Sequence, residues 1–264
     1  MERIGLSQPE ELPSAEVYVS IANLVRKFIV VGEAGVATEH YVAIRGKDLE
    51  GKPRYQALGG GAKLTATAKT ELENSFGANI RFRDGEEADD ARFYITTPLA
   101  RPATGAISPA DLPESVLAVT EAFSALDVRV IEDSVDRELK EEISELDLGL
   151  SGDELEQMQA HYETSVCPPE TRVSNSGRSK GADLNFRVFH LFDVTVPQAV
   201  FEKLCLSDRF RVLSKTDMEA FRQATESRET KAVAQDDVYL VENLFPDEHP
   251  DYSRITSEKI SVQE

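Results

Sequence analysis

Cysteine and long apolar runs are scarce in this chain, and each absence excludes a class of protein. The 264 residues include two cysteines, Cys167 and Cys205. Two cysteines provide neither a disulfide framework nor a zinc ligand set, and they predict free thiols in a reducing cytoplasm. No apolar run reaches the roughly 18 residues of a bilayer-spanning helix, and the polar, acidic start of the chain lacks the layout of a secretory signal. We therefore predict a cytoplasmic protein without a membrane partner.

Positive charge is also in short supply. The chain has 29 lysine and arginine residues against 48 aspartates and glutamates, which gives a formal net charge of -19. Such a field repels nucleic acids and anionic membrane surfaces, so we expect no direct nucleic-acid partner. A small phosphorylated ligand is compatible with this charge, because a divalent cation locally reverses the sign of a carboxylate-rich pocket.

Local patterns predict a chain of mixed α/β (α+β) class. Apolar, β-branched and aromatic runs predict strands, and capping residues with apolar periodicity predict helices. The predicted strands are 17–31, 41–45, 92–97, 184–196 and 238–241, and the predicted helices are 65–76, 112–126, 133–146, 152–163 and 214–225. The strand at 184–196 is apolar on both faces, which favours burial on both faces or a bulge. His190 within it is interpreted as a core histidine rather than a ligand.

One predicted helix carries an unusual group of carboxylates. Residues 136–146 read DRELKEEISEL, and helical spacing puts Glu138, Glu141 and Glu142 on one face. Three like charges so close repel one another, and a hard cation such as Mg²⁺ removes that cost. The alternative interpretation is an acidic helix face that is simply solvated. An apolar stripe of Leu139, Ile143 and Leu146 is suited to hold the helix against a sheet.

The residues from Arg137 to Glu142, R-E-L-K-E-E, resemble the core of the Nudix box, R-E-U-x-E-E, in which U is a bulky aliphatic residue. Upstream, the segment QALGGG at 56–61 is similar to the strand-to-turn element that precedes the box, where a glycine carbonyl approaches the metal. The segments 18–26 and 92–95 resemble strands of one subgroup, the SMODS-associated Nudix domains. Phe123, Arg129 and Ser144 occupy positions where the full box has glycine, glutamate and glycine.

The resemblance implies a fold and its boundaries. It implies a Nudix fold with a mixed central sheet between helices, spanning 17–245, with an insertion at about 62–127 before the box helix. Residues 1–16 would be an N-terminal extension, and residues 246–264 a polar C-terminal tail. It also implies that the glycines at 59–61 and the glutamate helix meet in space, although they are far apart in the chain.

The resemblance further implies a reaction and its residues. Glu138, Glu141 and Glu142 would bind Mg²⁺, or Mn²⁺, with Arg137 as an orienting group and Glu132 as a substitute for the lost glutamate of the box. Water would attack a nucleoside diphosphate linked to another group, as in nucleotide-signalling antiphage defence in bacteria. We assign substrate binding to Arg26, Lys63, Gly59, Gly60 and Gly61. Two alternatives stay open, a nucleotide-sensing module without hydrolysis and an acidic scaffold; homo-oligomerisation also stays open.

Overall fold

A computed structural model describes residues 14–83, 89–98, 136–146, 149–167, 184–227, 229–241, 244–248 and 253–255. The strands are β1 (Ser14–Val31), β2 (Ala37–Arg45), β3 (Arg54–Gln56), β4 (Leu58–Gly61), β5 (Ile80–Phe82), β6 (Arg92–Pro98), β7 (Gln159–Cys167), β8 (Leu184–Pro197), β9 (Phe210–Val212), β10 (Lys231–Val233), β11 (Tyr239–Val241) and β12 (Ser253–Ile255). The helices are α1 (Ala66–Phe76), α2 (Asp136–Ser144), α3 (Gly152–Glu156), α4 (Gln198–Leu204) and α5 (Lys215–Glu226).

The parallel pair of β1 and β8 forms the centre of a mixed sheet of 12 strands. β1 also pairs antiparallel with β2 along its second half and with β4 and β6 along its first half. β11 runs parallel to β3, and the other described pairs are antiparallel. Because β8 lies between β1 and β7, its residues 188–194 are all buried, which confirms the prediction of burial on both faces. The prediction of a mixed α+β chain is likewise confirmed.

Two facing bulges interrupt the strands that flank β8. The register of β1 against β8 shifts between Val25 and Lys27, so Arg26 is an extra residue, and Glu163 is the extra residue in β7. A bulge reverses which face the following side chains occupy. The guanidinium of Arg26 donates to both oxygens of the buried Asp193 (2.9 and 2.7 Å) and lies 3.5 Å from Glu163. These ion pairs neutralise the charged side chains at the point where the register of both strand pairs shifts.

The bulge in β1 divides the sheet into separate core regions. Ahead of it, Val17, Val19 and Ile21 pack against α1. Val25 just ahead of the bulge, and Phe28 and Val30 beyond it, pack in a second cluster with apolar residues of α2 and α4. Leu24, on the opposite face, belongs to a third cluster that includes Met218 and Phe221 of α5. Helices therefore cover both faces of the central strands, and α2 lies on the same face as α1.

Capping residues at the helix starts confirm two of the predicted helices. The Thr65 hydroxyl accepts a hydrogen bond from Ala68 N–H (3.1 Å) at the start of α1. At α5, Ser214 and Asp217 form a capping box, in which each side chain accepts from the other's backbone N–H. These side chains satisfy N–H groups that the first turn of a helix leaves without partners. None of the helices in the described part of the chain is long and apolar enough to cross a membrane.

The structure departs from the predicted local structure at three places. The segment 152–163 is helical only to Glu156, and its last residues belong to β7, which pairs with an edge of β8 that would otherwise expose unpaired backbone groups. The glycines at 59–61 form part of strand β4 rather than a turn. A further strand, β12, pairs with β7 inside the segment 246–264 that was predicted as a tail. The predicted helix at 112–126 and most of the predicted insertion lie outside the described residues.

Candidate functional site

The glycine strand β4 has one backbone edge on β1 and one facing away from it. Gly60 stands opposite Asn23, and Ala62 N–H donates to Ile21 O (3.1 Å) two residues further on. In an antiparallel ladder the backbone groups of alternate residues point toward and away from the partner strand. The N–H and C=O groups of Gly59 and Gly61 therefore point away from β1.

Helix α2 occupies that outer edge. Gly59 N–H donates to Oε2 of Glu142 (2.7 Å), and Nη2 of Arg137 donates to the carbonyl oxygen of Gly61 (3.2 Å). Arg137 also donates through Nη1 to Glu141 one turn along the helix (3.0 Å). The glycines and the glutamate helix, separated by 83 residues in the first of these contacts, meet as expected.

The apolar stripe of α2 explains why the helix presents its carboxylates at this edge. Leu139 and Ile143 are each 1% exposed and pack in the cluster that contains Leu58 of β4. Burying these two side chains contributes on the order of 4 kcal/mol, which fixes the rotation of the helix. Glu141 is then exposed at the surface, with 60% of its side chain accessible, and Glu142 is half-buried against the strand.

Gly59 cannot carry a side chain at this position. Its φ is +122°, and an added Cβ would lie 2.2 Å from the backbone oxygen of Asn23. Both the conformation and the space therefore require glycine. Gly59 therefore approaches the backbone of β1 closely while it remains within a strand.

Two other predicted site residues, Lys63 and Arg26, form ion pairs of their own. Lys63 forms an ion pair with Asp90, across a β-bridge two residues after the glycine strand. Arg26 is held by Asp193 at the bulge in β1. Phosphate binding by either cation stays a prediction. Glu132 lies outside the described residues, and the structure describes Glu138 as a residue of α2 but not its side chain.

The donor atoms at the edge of α2 suit a magnesium ion. Carboxylates and backbone carbonyls are hard oxygen ligands of the kind that Mg²⁺ binds, usually with several waters retained. A carboxylate has about four lone-pair sites, so it can accept an N–H and still ligate a metal. Among the side chains that the structure describes, however, no three His, Cys, Asp or Glu converge as a metal-binding group. Of the predicted trio, the structure describes the side chains of Glu141 and Glu142, and metal binding by the trio stays a prediction.

A pocket of about 240 Å³ opens on one face of the glycine strand, and we did not predict it from the sequence. Its lining comprises Tyr18, Ser20, Ile21, Ala22, Leu24, Gln56, Ala57, Gly59, Gly60, Gly61, Arg92, Arg187 and Phe189. The sequence does show an arginine in each of two strands that are rich in apolar residues, Arg92 in β6 and Arg187 in β8. It does not show the strand register that places both arginines opposite Ser20.

A buried polar pair lies on the other face of the same strands. Asn23 of β1 stands in register with His190 of β8, and the two residues are 0% and 3% exposed. Burial lowers the pKa of His190 to about 4, so the imidazole is neutral at physiological pH. Within the described part of the chain, the Asn23 amide and the His190 Nδ1 have no hydrogen-bond partner. His190 is thus a core histidine, as interpreted, but one with an unsatisfied nitrogen.

No protein-family model, curated protein or solved structure matches this chain.

Proposed function

We propose that the chain is a Nudix-type hydrolase, which uses Mg²⁺ to cleave a nucleoside diphosphate linked to another group. The observation that carries the proposal is the docking of the R-E-L-K-E-E helix on the glycine strand, through Gly59 to Glu142 and Arg137 to Gly61. The resemblance rested on two separate motifs, and their contact gives it support that neither motif has alone. A mixed sheet with helices on both faces is compatible with the proposed Nudix fold.

In this proposal Glu138, Glu141 and Glu142 hold the metal at the outer edge of β4. Bound Mg²⁺ would neutralise phosphate charge and lower the pKa of a water molecule. The chain's own groups do the positioning: Gly59 N–H fixes the carboxylate of Glu142, and Arg137 connects Glu141 with Gly61. A carboxylate beside the attacking water, from the trio or from Glu132, accepts its proton as general base.

The experiment is to incubate the protein with a panel of nucleoside diphosphate derivatives, with Mg²⁺ or with EDTA, and to separate the products by chromatography. We expect a mononucleotide or phosphate product only with Mg²⁺. Glu142→Gln should reduce turnover by about 100-fold or more, because deleting one ligand charge weakens the metal site. The matched control is Glu145→Gln, directly after the same helix, which should retain turnover. Equal activity of the two variants would reject the assignment of the site.

A second candidate is a nucleotide-sensing module that binds without cleaving. It is favoured by the engagement of Glu141 with Arg137 and of Glu142 with Gly59, together with Arg129 at the position of a box glutamate. Saturable binding of a nucleotide with no product over many hours would select it. Binding of neither metal nor nucleotide would instead select the acidic scaffold. A place in antiphage defence follows the Nudix proposal and has no support of its own from the structure.

A further inference from the structure

One row across the sheet places a serine between two arginines. Ser20 of β1 is the register partner of Arg92 on β6 and of Arg187 on β8. Register partners point to the same face, and neighbouring strands lie about 4.8 Å apart, so the two arginine Cα atoms are separated by about 10 Å. An arginine side chain spans more than half of that distance, so both guanidiniums can reach a group bound over the Ser20 hydroxyl.

Small side chains make this row part of a pocket. Ser20, Ala22 and Ala57 line it together with Gly59 and Gly61, and none of them fills the space above the strands. The aromatic side chains of Tyr18 and Phe189, each 4% exposed, form parts of its wall. The pocket therefore has a glycine and alanine floor along the same strand that holds α2 at its outer edge.

The charge of the pocket is opposite to that of the chain. Its charged lining residues are Arg92 and Arg187, and no carboxylate among the described residues lines it, although the chain has a net charge of -19. Arg187 is exposed and forms no hydrogen bond or ion pair with the described residues. Arg92 lies over Gly61, with Nη2 3.0 Å from the position of an added Cβ, and its Nη1 is 3.3 Å from Asp90. An arginine without a partner in the described part of so acidic a protein is available to an anion.

We propose that Arg92, Ser20 and Arg187 form a phosphate-binding subsite for a nucleotide that lies across Gly59–Gly61. The planar guanidiniums donate paired hydrogen bonds to phosphate oxygens, and the serine hydroxyl donates a further one. A volume of about 240 Å³ holds a phosphate and part of a sugar, so the rest of the nucleotide extends beyond the pocket. The inference rests on the proposed function for its choice of a nucleotide, because α2 borders the same glycine strand.

The test measures binding in EDTA, so that metal and hydrolysis do not contribute. ADP, inorganic pyrophosphate and adenosine are titrated separately into the full chain by isothermal calorimetry. We expect ADP and pyrophosphate to bind and adenosine not to bind. Arg187→Gln should weaken ADP binding about tenfold, since charge-assisted hydrogen bonds are lost, and Arg187→Lys should weaken it less. The control Lys231→Gln removes one positive charge on the distant strand β10 and should bind ADP as the wild type does.

Three results would overturn the subsite: equal ADP affinity of wild type and Arg187→Gln, equal affinity for adenosine and ADP, or displacement of ADP by a thymidine oligonucleotide at lower phosphate concentration, which would indicate a nucleic-acid surface. Failure here is separable from failure of the proposed function. Normal ADP binding by Arg187→Gln with loss of turnover in Glu142→Gln rejects the subsite alone. Arginine-dependent ADP binding without hydrolysis of any derivative retains the subsite and rejects the hydrolase.

Discussion

Helices α5 and α2 both present a carboxylate to a backbone N–H group, and they do so for different reasons. At the start of α5, Asp217 is 1% exposed and accepts from Ser214 N–H, the Ser214 hydroxyl, Gln235 N–H and Arg211. On α2, Glu142 accepts from Gly59 at the edge of a strand, beside the exposed Glu141 and like-charged neighbours. The first carboxylate is enclosed by matched donors, as in a structural cap. The second is half-buried at the edge of a strand, and its neighbour Glu141 is exposed and paired with Arg137.

The pKa of Asp217 reflects its enclosure. Burial acts to raise it, but hydrogen bonds from Ser214 N–H, Arg211 and the Ser214 hydroxyl outweigh burial, so the pKa lies below its ordinary value. A carboxylate with a lowered folded pKa stabilises the protein above its unfolded pKa, and that contribution is lost as pH falls through the folded value. The cap at α5 therefore stabilises the fold at neutral pH.

The largest expected effect comes from the glycine that allows α2 to dock. Gly59→Ala should lower the free energy of unfolding by about 4 kcal/mol or more, because it combines a disfavoured φ with a steric overlap. Gly35 also has a positive φ, +72°, but an added Cβ there meets nothing within 4 Å. Gly35→Ala should thus cost only about 1 kcal/mol. Chemical denaturation of both variants measures the difference, and equal costs would show that space around Gly59 is unimportant.

The second largest effect on the free energy of unfolding is expected at Asp217, the capping carboxylate of α5. Asp217→Ala removes a buried acceptor and leaves Arg211 without its buried partner, which should cost about 3 kcal/mol of unfolding free energy. Turnover per folded molecule should not change, because α5 packs in a different apolar cluster from α2. Denaturant titration and activity at low temperature test both parts. A loss of turnover in fully folded protein would mean that the two carboxylates do not have separate roles.

His190 should make the stability of the protein depend on pH in a different range from Asp217. Its folded pKa of about 4 lies below the ordinary 6.5, so between these values the unfolded chain binds a proton that the folded chain does not. The free energy of unfolding should therefore fall as pH drops from 6.5 to 4, by about 3 kcal/mol at about 1.4 kcal/mol per unit. Its stability contribution is complete above 6.5 and levels off below 4.

The measurement is urea denaturation at several pH values between 7 and 4. His190→Gln should remove this part of the slope, while the control His161→Gln, an exposed residue of β7, should retain it. The contribution of Asp217 lies at lower pH, below its ordinary 3.8, so the two groups can be separated. An unchanged slope in His190→Gln would show that the imidazole does not stay neutral in the folded protein.

The sequence predicted the features that depend on near neighbours. The helices that begin near Thr65 and Ser214, the central strands and the buried stripe of Leu139 and Ile143 follow from local sequence patterns. The contact between α2 and the glycine run followed from the resemblance. Apart from that contact, each of these features is determined by residues that lie within about one helical turn or one strand of each other.

Features set by distant pairing could not be predicted. The resemblance implied a strand-to-turn element at the glycines 59–61, whereas pairing with β1 holds them in a strand. The segment 159–163 has a helix cap just before it, but its pairing with β8 decides its structure. The pocket depends on the register of β6, β1 and β8, so only the folded structure shows that Arg92 and Arg187 lie on either side of Ser20.

Of these variants, Glu142→Gln should have the smallest effect on stability and the most informative effect on function. Glu142→Gln retains an oxygen that can accept from Gly59 N–H and removes one of three neighbouring negative charges. The free energy of unfolding without metal should thus change by less than about 0.5 kcal/mol, with relief of repulsion favouring the variant.

Magnesium should separate this variant from the wild type. A ligand that binds only the folded state raises the melting temperature with its concentration, so Mg²⁺ should stabilise the wild type and Glu145→Gln alike, and Glu142→Gln much less. Differential scanning fluorimetry over a Mg²⁺ series at constant ionic strength measures this shift. If all three proteins respond equally, the acidic face of α2 is only solvated. A wild-type response lost in Glu142→Gln but retained in Asp217→Ala would instead establish that α2 binds a cation and that α5 only caps a helix.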